Sequence, residues 1–349
     1  MASVKSTNNT HEENEKLIKE EIIPNLVHDR FFCPPGSREF VELISVKVEP
    51  CENTVDKYKC VIVLEFSGEA RTLYYTCDTK FSDDSDRTTE RNKCHRMLIP
   101  RYPKLDIFPK YIITEQPFTR DRVMVAEDAE ELGLVCMTQR AWNKEEAEAI
   151  AKVLAKYHAE GMRLIKEDPE LSWFDRACCN DMKTADGISS RDFEEFANEV
   201  LSEMKSTNKP GSEIEQFERF MSEIPRWKPS GKPELRTIVQ GNVLRKKVAL
   251  KQTFGQYGMR FVDWTEIELY GSCALDLSLL LFQTPCEGFD EVLDVYCDAL
   301  RAQVPEVPIE DLKDEVHTIG FVYAMYKNFR ESRTPSFRVL EKFLSDEKF

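Results

Sequence analysis

Two stretches of this 349-residue chain place polar residues where short apolar strands end: IVQGNVLRKK over 238–247, and FVDW over 261–264 followed by GSCALDL over 271–277. Gln240 and Asn242 bring amides, Gly241 a tight turn, Lys247 an ammonium, and Asp263 and Asp276 carboxylates. Such parts suit phosphoryl transfer, which depends on positioning and charge neutralisation more than on covalent chemistry by the protein. The first stretch lacks the carboxylate that this chemistry normally uses. An amide can position a hydroxyl but cannot take its proton, a contribution typically worth about 10²- to 10⁴-fold. An ammonium has three donors and no lone pair, so Lys247 cannot ligate a hard cation that binds oxygen.

Two other stretches carry polar groups at defined places. In VMVAEDAEELG an apolar run leads into Glu127 and Asp128, and in LAKYHAEG His158 continues the stripe Ile150, Leu154 at helical spacing, with Ala147, Ala151 and Ala155 alongside. His158 could serve as a base, but a histidine on an apolar helix stripe more often satisfies a structural hydrogen bond, and that reading is preferred.

The elements that must hold these residues follow from periodicity. Residues 1–14 are polar and aperiodic and are expected to form a disordered tail; a helix is expected over 15–26. VELISVKV, CVIVLEF, TLYYTC, KYIIT and RVMVA then read as about five strands of an antiparallel sheet, with the charged run TKFSDDSDRTTERNK as a solvated loop and helix start. From Asn143 the period turns helical, through DFEEFANEVLSEM and IEQFERFMSEI to the connector WKPSGKPELR. RTIVQ, VALKQ and MRFVDW form a small β insertion, followed by helices FDEVLDVYCDAL and LKDEVHTIGFVYAMY, the latter with an apolar stripe through Leu312, Val316, Ile319 and Tyr323. The expectation is a bilobal α+β protein: an N-terminal, mainly β lobe over 15–135 and a larger, mainly helical lobe over 136–349, with a loop-bearing hairpin over 236–265 and a cleft at their junction.

Composition narrows the partners. A net charge of −15 opposes binding to nucleic acid. No apolar run is long enough for membrane insertion, and the first residues carry no stretch of signal-peptide type, so a cytoplasmic location is expected. Eleven cysteines without a CxxC pair are expected to be reduced thiols, and a redox role for the adjacent Cys178 and Cys179 is the minor alternative.

VMVAEDAEELG, LAKYHAEG, VQGNVLRKK and FVDW with YGSCALDL, in this order, resemble the choline-kinase-like and ecdysteroid-kinase-like small-molecule kinases, relatives of the aminoglycoside phosphotransferases within the protein-kinase-like superfamily. The resemblance implies a protein-kinase-like fold with ATP and Mg²⁺ as cofactors. It implies that Glu127 and Asp128 form the adenine hinge, that Asp263 binds the metal, and that Asp276 braces the catalytic loop. The resemblance sets His-Gly-Asp, four intervening residues and a metal-binding Asn against Gln240, Gly241, Asn242 and Lys247 here, so the base position holds an amide and the metal-ligand position an ammonium.

Lys247 either neutralises Asp263 in the metal's stead or belongs with Arg245 and Lys246 to a solvated basic turn; both stay open. The nucleotide lobe departs from the family as well. No GxGxxG occurs, and Gly36 is the candidate start of the phosphate loop. Thr76 or Cys77 stands where the phosphate-pairing lysine is expected, with Lys80 three or four residues late and Glu90 as its candidate acidic partner. The resemblance therefore points to a pseudokinase that binds a small molecule in the cleft or a protein partner. The alternative is an active ATP-dependent phosphotransferase acting on a hydroxyl of a sterol or an amino alcohol.

Overall fold

The computed structural model describes residues 11–34, 36–51, 54, 56–79, 107–108, 110–115, 122–137, 140–168, 190–207, 210–223, 233–241, 243–245, 247–253, 256–262, 268–284 and 286–332. The chain forms two compact units, Met1–Thr88 with Phe108–Val135, and Thr89–Ile107 with Cys136–Phe349. An antiparallel sheet comes first and helices dominate afterwards, the α+β arrangement read from the sequence.

The first unit is built on strands β1 (Val41–Pro50), β2 (Lys57–Phe66), β3 (Glu69–Asp78), β4 (Tyr111–Glu115) and β5 (Arg122–Glu127), in the order β1-β2-β3-β5-β4 with antiparallel pairing throughout. The period of two dictates which face is covered. Along β2 the residues Tyr58, Cys60, Ile62, Leu64 and Phe66 are buried, while their neighbours are only half-buried. Ser67 (φ 49°) and Gly68 (φ 95°) form the two-residue turn between β2 and β3, whose paired positive φ angles match the strands' twist.

A helical segment lies on the covered face, with a π-helical turn Ile18–Ile22 followed by α1 (Ile23–His28), and it buries Ile18, Ile22, Ile23 and Leu26 against the sheet. Phe31, Phe32 and Tyr75 meet edge to face there, with ring centroids 5.1 to 5.9 Å apart. Helix begins earlier than the sequence suggests, at residue 11. The reason is a polar anchor inside the expected tail: His11 Nδ1 lies 2.9 Å from the hydroxyl of buried Tyr58, and Asn14 Nδ2 donates to the same oxygen at 3.1 Å. The rest of the expected tail lies outside the described residues.

The chain leaves the first unit through the two-residue strand β6 (Val135–Cys136). In the second unit α2 (Lys144–Glu167) starts at a capping box between Asn143 and Glu146 and buries Ala147, Ile150, Ala151, Leu154, Ala155 and His158 on one side. α3 (Ser190–Ser206) and α4 (Gly211–Glu223) follow. β7 (Arg236–Val239), β8 (Val248–Thr253) and β9 (Gln256–Phe261) occupy the expected β runs, but only β8 and β9 form a hairpin. β7 pairs instead with β10 (Glu268–Ser272), with Gly271 opposite Thr237.

Next comes α5 (Cys273–Phe282), every residue of which is buried. Periodicity does not reveal it, because a helix that is apolar all round has no contrast between faces. α6 (Phe289–Gln303), α7 (Ile309–Glu315), a π-helical turn Val316–Gly320 and α8 (Phe321–Ser332) complete the unit, with Leu312, Val316 and Tyr323 fully buried.

Gly320 is where that turn crosses α5. A Cβ there would stand 2.2 Å from Ser278 Oγ and 2.9 Å from the backbone oxygen of Ala274, so Gly320→Ala should cost about 1–3 kcal/mol of stability, read as a lower urea midpoint.

No disulfide joins the described cysteines. Burial pushes the Cys60 thiol up to about 12 and Cys297 to about 11, and raises Cys77 well above its ordinary value of 9.0. Because the native state holds these protons after the unfolded chain releases them, their contribution is complete below about pH 9 and is lost as pH rises through 11–12. Unfolding free energies measured at pH 8, 9.5 and 10.5 should fall by up to about 1.4 kcal/mol per pH unit for each such group. A flat profile would contradict the burial of the thiols.

Candidate functional site

The loop between β7 and β8 begins at Gln240, which is fully buried. Its first two N–H groups converge on one carboxylate: Gln240 donates to Asp276 Oδ2 at 2.7 Å and Gly241 to Asp276 Oδ1 at 2.8 Å. Gly241 has φ 73°, a left-handed conformation that costs a residue with a Cβ about 1–2 kcal/mol. Asp276 lies in the first turn of α5, which is capped by Ser272 accepting from the Ala274 N–H at 3.1 Å, and a carboxylate there is favoured by the helix dipole.

The same carboxylate holds His158, whose Nε2 is 3.0 Å from Oδ2. A carboxylate only accepts, so Nε2 carries the proton; Nδ1, 2.6 Å from the Tyr296 hydroxyl, then accepts from it. Burial, and the Cys273 thiol beside it, push the Tyr296 phenol well above its ordinary range. His158 is fully buried among these groups, and its backbone oxygen accepts from the Thr237 hydroxyl at 2.8 Å, tying α2 to β7.

The far side of the loop hangs on Gln283, the residue that caps the C-terminal end of α5. Its Oε1 accepts the Arg245 N–H at 2.8 Å, and its Nε2 donates to Val243 O at 2.8 Å and Leu279 O at 2.9 Å. Tyr323 of α8 adds a bond from its hydroxyl to Gly241 O at 3.1 Å. The sequence pattern singled out neither Gln283 nor Tyr296, and it showed Tyr323 only as part of an apolar stripe. A signal for Gln283 was present: it follows Asp276 by seven residues, two helical turns, and so shares its face.

Lys247 is half-buried, with its N–H donating to Leu244 O at 2.7 Å; its own carbonyl accepts from Val262 N–H at 2.9 Å, which holds it beside the residue preceding Asp263. Asn242, Asp263, Lys80 and Glu90 lie outside the described residues.

The other site residues are in the first unit. The Glu127 N–H donates to Lys110 O at 2.9 Å, and its carboxylate accepts the Lys110 N–H at 2.9 Å. Burial holds the Lys110 ammonium below its ordinary value, against the attraction of Glu127. Asp128 is buried; its N–H donates to Tyr74 O at 3.0 Å, and its Oδ1 accepts from the N–H groups of Glu130 at 3.0 Å and Glu131 at 3.4 Å. Lys59 Nζ stands 3.8 Å from Asp128 Oδ2 and donates to Glu130 Oε2 at 2.9 Å. Gly36 (φ 77°) lies in the connection from α1 to β1, where Arg30 fastens the chain through Ser37 O and Glu39 O, both at 2.8 Å; the turn between β1 and β2 is a different segment, 51–56.

The sequence profile of the ecdysteroid kinase-like family matches residues 93–307, more than half of the chain. The chain belongs to the ecdysteroid kinase-like family. The match spans α2, the 240–247 loop, α5 and α6, and begins after β3, so the first three strands lie outside it. No curated protein matches the chain. Among solved structures it is similar to the apoenzyme of macrolide 2'-phosphotransferase MphH from Brachybacterium faecium, at 14% identity over 87% of this chain and 93% of that one with a TM-score of 0.40. It is also similar to the GDP and kanamycin complex of APH(2")-IIia, at 11% identity over 92% and 99% with a TM-score of 0.43. A microcompartment-associated aminopropanol kinase is similar at 10% identity over 92% and 93% with a TM-score of 0.37. Values this low leave the assignment to the family match.

Asp276 is the most exacting part of the loop's support. Asp276→Ala would strand two backbone N–H groups and the His158 N–H in a dry interior, at a cost of about 3 kcal/mol or more. Urea unfolding should register that loss, whereas removal of an exposed carboxylate such as Glu306 should leave the midpoint within about 0.5 kcal/mol of wild type.

Proposed function

We propose that this ecdysteroid kinase-like protein is a pseudokinase: it keeps the scaffold of a small-molecule kinase, has lost most of its phosphotransfer, and acts by binding a small molecule or a protein partner. One observation carries this reading. Backbone groups of Gln240, Gly241, Val243 and Arg245 are all fastened by side chains of α5 and α8, while the residue at the base position within that loop is Asn242. Rigid support of this kind serves a fixed geometry. What changed is the reactive group, not its mounting.

Mg²⁺ does not fit the residues present, because an ammonium at Lys247 repels a divalent ion and offers it no lone pair. The ammonium of Lys247 brings positive charge to the loop without a metal's chemistry. A nucleotide fits better. Lys59, Val61, Tyr74, Thr76 and Met124 share the face of the N-terminal sheet opposite the helical segment, an apolar shelf with a cation. The N–H groups of Glu127 and Asp128 are already engaged by Lys110 and Tyr74, so a purine has to be held by other groups. A bound ATP would supply the transferable phosphoryl group.

Purified protein should turn over ATP at little above background with any hydroxylated acceptor. Asn242→Asp combined with Lys247→Asn restores a base and a metal ligand, and should raise turnover by about 10²-fold or more. The reading fails if wild type works at an ordinary kinase rate of about 1–100 s⁻¹ and Asp263→Asn abolishes it.

A further inference from the structure

In the family's pattern a lysine on the third strand pairs the nucleotide phosphates, and the sequence offers Thr76 or Cys77 for that place. The fold separates the two. Cys77 is fully buried in the core beneath the N-terminal helical segment. Thr76 projects from the opposite face, where it is half-buried and its hydroxyl donates to Ala126 O at 3.4 Å. Tyr74 and Asp78 alternate onto that same face, so β3 presents no cation there.

Its neighbour does. The direct cross-strand partner of Thr76 is Lys59 of β2. Partners in an antiparallel pair stand about 5 Å apart and project from one face, so the Lys59 ammonium samples the space that a lysine at position 76 would use. The other two lysines of β1 and β2 on this face are taken by local partners: Lys57 Nζ lies 3.7 Å from Asp78, directly opposite it, and Lys47 Nζ lies 2.7 Å from Glu49. Lys59 reaches instead across β3 to the turn after β5, at 2.9 Å from Glu130 and 3.8 Å from Asp128.

We propose that Lys59 replaces the missing third-strand lysine, as the cation that receives the polyphosphate of a nucleotide, with Glu130 holding it until the ligand arrives. The two acids divide the task. The Asp128 side chain is 6% exposed and fixed by two N–H groups, so it aims the ammonium. Glu130 is 79% exposed and Lys59 41%, and a pair so open to water is weak and exchangeable for a ligand of higher charge. This inference rests on the retained-scaffold reading above, but it concerns binding and not turnover.

The test is equilibrium binding of a fluorescent ATP analogue to the full chain, with ATP, adenosine and tripolyphosphate as competitors, in wild type, Lys59→Met, Lys59→Arg and Glu130→Gln. Loss of one charge-assisted bond should weaken ATP about 10- to 100-fold in Lys59→Met, leave adenosine unchanged, and be largely rescued by Lys59→Arg. Glu130→Gln should tighten ATP a few-fold. Tripolyphosphate should compete in wild type and fail to compete in Lys59→Met.

Equal ATP affinity in wild type and Lys59→Met would overturn the proposal, as would parallel loss of adenosine and ATP or absence of ATP binding to wild type. Urea unfolding of Lys59→Met separates a binding defect from a folding one. Rapid ATP turnover by wild type would sink the pseudokinase reading and leave the role of Lys59 standing.

Discussion

A buried carboxylate must be saturated with donors, and in this protein that requirement organises the second unit. Asp276 lies in the dry interior at the start of α5 and draws to itself the first two N–H groups of the 240–247 loop and the imidazole of His158. Two donors come from the loop after β7 and one from α2, so a single carboxylate of α5 ties three elements together. Tyr296 then brings in α6 through the other ring nitrogen. A network in which every member is satisfied specifies a unique core, and one with a missing member is costly. The described backbone groups of the loop are thus held by side chains of other elements.

The first unit follows a different logic, one of faces. Tyr58, Cys60, Ile62 and Leu64 commit one side of the sheet to the N-terminal helical segment, and the period of two then commits Lys59, Val61 and Val63 to the other. One face holds buried thiols and aromatic rings, and the other carries Lys47, Lys57, Lys59, Glu49 and Asp78. The family match begins after β3, and the anchored loop falls within it.

Strands rich in β-branched and aromatic residues between polar turns, and helices with one apolar stripe, were legible because composition and period mark what the core takes up. All five strands of the first sheet and the stripe through Ile150, Leu154 and His158 belong to this class. Elements without such a mark were not legible. α5 is buried on every side and shows no period, and β10 follows a segment with no clear turn signal. The helix start at residue 11 was hidden because two polar side chains, His11 and Asn14, gain their value from Tyr58, which lies more than forty positions away.

The chain's own residues determine that position 242 holds an amide and position 247 an ammonium, and that strands precede helices. Those are statements about identity and local pattern, which a sequence records directly. Tertiary structure alone decided that β7 pairs with β10 and not with β8, that Thr76 and not Cys77 faces away from the core, and that His158 and Gln283 support a loop distant in sequence. Periodicity fixes which residues share a face but not what that face will meet, because the partner is chosen by packing and hydrogen-bond saturation over the whole unit.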